Sequence, residues 1–190
     1  MCTKYVKIYI GRYLSGKNGE RRRSMYVIGE KVIYGAQGVM EIVDIVDQTI
    51  GDATRRYYVL REYSSPSSSL TYVPVDNEML VANIQPLLTE QEVVEVIRLS
   101  KSSIQLEWVE ENRARSEMYK RILATADRAK ILAMINLVTE TGLRREEEGK
   151  KNYIADENIM KKAQKMINAE FSIVLGIPED EVEEFIRSTN

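Results

Sequence analysis

Apolar residues recur with two different periods along this chain, and the switch falls near Pro86. Before it, the pattern is that of short strands. Residues 31–34 form a first strand closed by Gly35 and Gly38, which punctuate turns. Residues 39–46 form a second, followed by a polar turn through Gly51 and Asp52. Residues 55–62 alternate charged with apolar or aromatic side chains, the mark of a half-buried strand. Ser64 to Ser69, interrupted by Pro66, compose a loop. Residues 70–75 make a further strand, in which Pro74 must sit where no ladder N–H is needed, at an edge or an end. Residues 81–84 supply a last short strand. So many short strands in so short a span predict a small Tudor- or SH3-like β-barrel over residues 25–86.

Beyond Pro86 the period is helical. Thr89-Glu90-Gln91-Glu92 has the capping-box spacing ahead of Val93, Val94, Val96 and Ile97. A second helix is expected over residues 106–123. A third follows Asp127 as N-cap, carries Ile131, Met134, Ile135 and Val138 on one stripe, and stops at Gly142. The charged stretch 144–151 reads as a solvated connection. Asp156 is the expected cap of a fourth helix with Ile159, Ala163, Met166, Ile167, Phe171 and Val174 inward. Gly176 ends it, and Pro178 opens a short last helix to about Arg187. The fold class is therefore α+β, a small barrel followed by an all-α helical bundle over residues 87–190.

Composition narrows the chemistry. The chain has 190 residues, 44% of them hydrophobic, enough for real cores in one large or two small domains. It has no histidine and one cysteine, Cys2. Cys2 alone can form neither a disulfide within the chain nor a cysteine zinc site. The lack of histidine removes the commonest general base, the Ser-His and Cys-His pairs, and the usual zinc and iron ligands. An enzyme would have to work with carboxylates, Lys or Tyr, so a binding protein is expected, with no cofactor, metal or small-molecule substrate. No apolar run is long enough to span a bilayer, and Lys4, Lys7 and Arg12 break up the opening residues where a secretory signal would need an apolar stretch. A cytoplasmic protein is expected.

The net charge of −2 hides an asymmetry. Residues 1–24 hold seven basic residues against Glu20 alone, so the rest of the chain is acidic, with 20 basic and 28 acidic residues. The leader is either a basic arm for nucleic acid or a segment ahead of a start at Met25. The second reading is preferred, because Arg21-Arg22-Arg23 can be a purine-rich ribosome-binding site read in frame. An acidic body binds duplex DNA weakly, since affinity grows with the number of phosphates neutralised. Any DNA contact must then be local and aided by a protein partner.

Candidate residues follow. The barrel offers an edge strand ending at Val73-Pro74, whose free backbone groups can pair with a partner strand, or which Pro74 simply protects. In the helical part, Trp108 is the only tryptophan and lies beside a polar run. It packs a core at a helix start, or it is an exposed wedge for a minor groove. Arg113, Arg115, Lys120 and Arg121 lie just beyond it and could steady it on phosphates, or belong to a solvated face. Glu146, Glu147 and Glu148 are the best carboxylate cluster for an enzyme reading, yet adjacent residues on a helix point apart.

The run Ile28-Gly29-Glu30-Lys31-Val32-Ile33-Tyr34-Gly35-Ala36-Gln37-Gly38-Val39 resembles the opening of CarD-type regulators, also called CdnL. Tyr57 to Leu60 and Val73 to Asn77 fall where that family has matching strands. The similarity continues through residues 119–127, residues 156–175 and Gly176-Ile177-Pro178-Glu179-Asp180-Glu181-Val182. The resemblance implies a Tudor-like domain on the β subunit of RNA polymerase and a helical domain on promoter DNA at the upstream edge of the bubble. By this mapping Gln48, Ile50, Tyr72 and Pro74 face polymerase, Trp108 is the minor-groove wedge, and the protein is nucleoid-associated through polymerase. The chain departs from the family at Gln37, where His is frequent, and at Gln48 and Tyr72, where some members carry Arg. It also has Val109-Glu110-Glu111 after the tryptophan where some carry basic residues, and Glu157 near a place where some carry Lys. The expected function is a non-enzymatic regulator that stabilises the open promoter complex. Its rivals are an adaptor that touches no DNA and, more distantly, a carboxylate-dependent enzyme.

Overall fold

The computed structural model describes residues 26–65 and 69–189. The basic leader, both readings of it, and residues 66–68 of the serine-rich loop lie outside the described residues. Five strands come first: β1 (Lys31–Tyr34), β2 (Val39–Ile50), β3 (Ala53–Glu62), β4 (Thr71–Pro74) and β5 (Ile84–Pro86). They form one antiparallel sheet in the order β4-β3-β2-β1-β5. A 3₁₀ turn, Gly35–Gln37, links β1 to β2. Gly38 there has φ +81°, the left-handed region that glycine enters freely, and a Cβ on it would meet Met166 Cγ at 3.5 Å. The turn thus needs glycine for its backbone, while a side-chain carbon there would make only ordinary contact with the helix.

The fold is α+β, a five-stranded antiparallel sheet followed by helices; among the described residues no ladder joins β4 to β5. The outer side of β5 is turned to the helices instead. Gln85 Nε2 donates to the Thr125 carbonyl at 3.2 Å, and the Pro86 carbonyl accepts from Arg128 Nη2 at 3.2 Å.

Six helices accompany the sheet among the described residues: α1 (Glu78–Val81), α2 (Glu90–Ser102), α3 (Asn112–Thr125), α4 (Arg128–Glu147), α5 (Ile154–Leu175) and α6 (Val182–Ser188). The Thr89 capping box and the Asp127 cap form as their residue types require. Four boundaries differ from expectation, each for a local reason. The last short strand is shifted from residues 81–84 to Ile84–Pro86, because the Asn77 side chain accepts the Leu80 N–H and winds one helical turn through Val81 before it. The second long helix begins at Asn112, where the Glu111 carboxylate accepts the N–H groups of Arg113 and Ala114. Trp108 therefore sits in the connecting segment. Helix α4 runs through Gly142 to Glu147; the glycine leaves room for Asn152, whose Nδ2 would lie 3.3 Å from a Cβ there. Asp156 does not cap α5. Tyr153 occupies that position, and Asp156 turns inward from the first helical turn.

Two apolar cores result. Val32, Met40, Ile42, Tyr58, Leu60, Val73 and Ile84 fill one face of the sheet with Tyr26. The second core is helical but includes Ile33 and Val39 from the other sheet face, so packing crosses the boundary expected near Pro86. At about 1.5–3 kcal/mol for each aliphatic side chain fully buried, these two residues alone tie sheet and helices together appreciably.

A buried ion pair lies at the same seam. Arg128 and Glu170 are both fully buried, with Nε to Oε2 at 2.8 Å and Nη2 to Oε1 at 2.9 Å. Arg128 Nη1 also donates to Gln85 Oε1 at 2.5 Å and the Ala126 carbonyl at 2.7 Å, and Glu170 Oε1 accepts the Leu88 N–H at 3.1 Å. Removing one partner leaves a lone buried charge, so Arg128→Met should lower the unfolding free energy by about 3–5 kcal/mol. Adding Glu170→Leu should return only the part of that loss due to the stranded charge, because the Leu88 N–H and the Pro86 and Ala126 carbonyls stay without their partners. Urea titrations of the two variants check this; an Arg128→Met chain with the natural midpoint would show that the seam does not depend on the pair.

Candidate functional site

The ladders of β2, β3 and β4 bring the sheet candidates together. Gln48 pairs with Arg55, Ile50 with Ala53, Pro74 with Tyr57 and Tyr72 with Val59. Residues opposite one another share a face, and faces alternate with period two. Gln48, Ile50, Tyr72 and Pro74 therefore lie on one face of the sheet, opposite the core face of Tyr58, Leu60 and Val73. Near β1 the helices cover this same face at Ile33 and Val39; at the far end it is open, with Ile50 69% and Tyr72 45% exposed. Tyr72 stands on the edge strand β4, and Pro74 ends that strand.

Around this face the structure adds residues that sequence reasoning passed over. Tyr57 meets Tyr72 edge-to-face at 6.4 Å between centroids. Leu70 is exposed just before β4, and α1, which packs beside β4, carries Met79 at 81% exposure. Met79 had no strand or helix periodicity to mark it. Charge borders the face where Arg55 approaches Asp76 at 3.7 Å; on the opposite face of the same hairpin Arg56 forks onto Asp47 at 2.8 and 2.9 Å. The Arg56 hydrogen bond holds the Asp47 carboxyl below its usual range.

The helical candidates separate. Arg113, Lys120 and Arg121 are exposed on α3, with Lys120 paired to Glu117 at 2.8 Å. Arg115 does not join them. Two residues along a helix turn the side chain about 200°, and Arg115 falls on the inner stripe with Tyr119, Ile122 and Leu123. It is 1% exposed and bound to Asp156 through Nε at 2.9 Å and Nη2 at 2.8 Å. Its role as a phosphate contact is corrected: every edge of the guanidinium is already engaged inside the protein.

Trp108 is half-buried at the mouth of a cavity of about 390 Å³ between the end of α4 and the start of α5. Its ring stacks with Tyr153 at 6.3 Å and 29°, and the Arg115 guanidinium lies 4.1 Å from the indole centroid. The indole is thus packed against Tyr153 and Arg115 while part of it stays accessible. The carboxylates of the enzyme reading brace the turn beneath it. Glu146 accepts from Asn152 Nδ2 at 2.9 Å, and Glu148 pairs with Lys150 at 2.7 Å. Among the described residues no group of three side chains converges as a metal site would require, and no helix is long and apolar enough to cross a membrane.

With this geometry in place the chain can be compared with known proteins. An edge strand beside an open, partly apolar sheet face is the build of a protein-interaction module. Residues 26–88 match the model of the CarD-like/TRCF RID domain. A domain of this kind supports an interaction with RNA polymerase. The match covers β1 to β5 and ends at Leu88; the helices from α2 onward lie outside it. No curated protein gives a significant match to the chain.

Tyr119, directly behind Arg115, is fully buried, and its hydroxyl has no hydrogen-bond partner among the described residues. Burial, reinforced by the Asp156 charge, pushes its pKa up to about 12. The folded chain therefore holds this proton after the unfolded chain has released it, and the associated stability is lost as pH rises from about 10 through 12. Tyr119→Phe should keep the thermal midpoint at neutral pH within a few degrees, since no hydrogen bond is broken. It should also make the alkaline decline of that midpoint shallower. A neutral-pH midpoint well below the natural one would show that the hydroxyl has a partner.

Proposed function

We propose that this chain docks on the β subunit of RNA polymerase through β4 and the open sheet face, and that it stabilises the promoter open complex by placing Trp108 against DNA at the upstream edge of the bubble. The observation that carries the reading is the register: the ladders set Gln48, Ile50, Tyr72 and Pro74 on one exposed face, beside an edge strand in a domain of the RID family. An extended strand from the partner can extend the sheet at β4 through its main chain, while Tyr72, Leu70 and Met79 receive its apolar side chains. The strand order, with β5 returning beside β1, also supports reading residues 25–86 as a Tudor-like module; in this reading residues 87–190 are the DNA-facing part.

On the helical side the contact set is Trp108 with Arg113, Lys120 and Arg121, without Arg115. The indole touches a distorted base step, and the three cations meet phosphates without reading sequence. The acidic balance of the body makes this contact dependent on docking and keeps the protein on the nucleoid only through polymerase, in the cytoplasm. The mechanism calls for no cofactor and no turnover. The packing of one indole face on Tyr153 and Arg115 favours a second reading, an adaptor on polymerase whose helices touch no DNA.

Co-purification of the full chain with RNA polymerase tests the first half. The natural chain should be retained, and a Tyr72→Ala, Pro74→Ala double variant should be lost; no retention of the natural chain would end the polymerase reading. Trp108→Ala tests the second half in promoter-complex lifetimes. It should still dock yet shorten the lifetime to that without the protein, whereas an adaptor would keep its full effect.

A further inference from the structure

Trp108 lies in a stretch, residues 104–110, that belongs to no helix or strand. No regular ladder holds the indole where it is. Arg115 does, from three directions. Its Nη1 donates to the carbonyls of the next two residues, Val109 at 2.6 Å and Glu110 at 3.1 Å. Its Nη2 donates to Asn112 Oδ1 at 2.8 Å. Its guanidinium plane lies against both rings, 4.1 Å from the Trp108 centroid and 4.6 Å from that of Tyr153. The whole group is anchored on Asp156 of α5 at 2.8–2.9 Å.

Tyr153 is fixed in turn from its own side. Arg145 lies 4.2 Å from the ring centroid and donates to the Lys151 carbonyl through Nε at 3.2 Å and Nη2 at 2.8 Å. The turn between α4 and α5 is thereby clamped, and the ring it carries is presented to the indole.

We propose that Arg115 is a positioning residue for Trp108, acting with Tyr153, Arg145 and Asp156 as one stack that holds the indole half-exposed at the molecular surface. Only arginine fits this place: it is planar enough to lie on two rings while its fork satisfies two carbonyls and a carboxylate, which a lysine ammonium cannot do. The functional consequence rests on the reading of Trp108 as the DNA-contacting group. The structural half does not, because it concerns the pose of the indole in the free protein.

A bare brace between α3 and α5 would also explain a buried Arg115–Asp156 pair, so the test must read the indole itself. Trp108 is the only tryptophan, and its fluorescence reports this site alone. Replacing both charges, as Arg115→Met with Asp156→Leu, avoids stranding either one and should leave the thermal midpoint within a few degrees. The acrylamide quenching constant of Trp108 should then roughly double, with emission shifted to the red, because the cation that pins the ring is gone. A folded double variant with natural quenching and emission overturns the proposal. If the double variant does not fold, Tyr153→Leu, which keeps the ion pair and removes the facing ring, should show the same rise in quenching, and Tyr153→Phe should restore the natural value. Unchanged quenching in Tyr153→Leu also overturns it. In promoter assays the double variant should match Trp108→Ala. Altered quenching together with a Trp108→Ala chain of full promoter effect would leave the positioning role standing and remove the DNA reading.

Discussion

The Arg128–Glu170 pair sits where the chain changes from strand to helix, and that change creates the problem the pair solves. At the junction the Leu88 N–H and the carbonyls of Pro86 and Ala126 belong neither to a ladder nor to a helix interior. Ala126 also has a positive φ, 50°, because α3 must end and α4 begin within two residues. Buried backbone groups without partners cost about 1–3 kcal/mol each. A guanidinium and a carboxylate that first satisfy one another, and then these three groups, let the junction be buried. An apolar pair of the same size would pack but leave the backbone unpaired. Ionic chemistry at full burial is thus a requirement of this connection.

Sealing the junction decides how the sheet is used. The helices take the β1 end of one face through Ile33, Val39, the Gly38–Met166 contact and the Lys165–Glu62 bridge at 2.6 Å. They also turn β5 inward, so the β4 edge, with the short α1 beside it, is the one left clear of the helices that follow Pro86. The long β2–β3 hairpin carries the uncovered end of the face away from the helices. The proposed docking site is therefore one edge and one adjoining surface, and both are set by the same packing that forms the second core.

Much of this was legible in the residues. The period-two run 55–62, the glycine pair at 35 and 38, and the Thr89 and Asp127 caps are local signals, and local signals survive folding. Pro74 at the end of an edge strand follows from its missing N–H alone. What sequence could not carry is long-range. Arg113 and Arg115 look alike in a charged run, and only the helical phase of α3 against α5 sends one outward and the other to Asp156. Asp156 reads as a cap because its spacing permits it; the buried arginine 41 positions earlier claims it instead. Gly142 looks like a stop, yet its missing Cβ admits Asn152 and lets α4 continue. Tyr153, which shapes the Trp108 site, has no signal in the linear chain.

The acidic body and the sealed junction bear jointly on the proposed mechanism. A protein that cannot hold DNA by bulk charge gains from DNA only what a partner positions for it, so the useful quantity is geometric: where the indole stands relative to the docking edge. A flexible linker would spread that position over many placements and dilute each one. Here the path from β4 to Trp108 runs through an antiparallel sheet, a shared core and two buried ion pairs, one at the seam and one beneath the indole. Every link in that path is a packed element or a satisfied charge. The two ionic pairs thus do different work in the same design: Arg128–Glu170 sets the helices on the sheet, and Arg115–Asp156 sets the tryptophan on the helices.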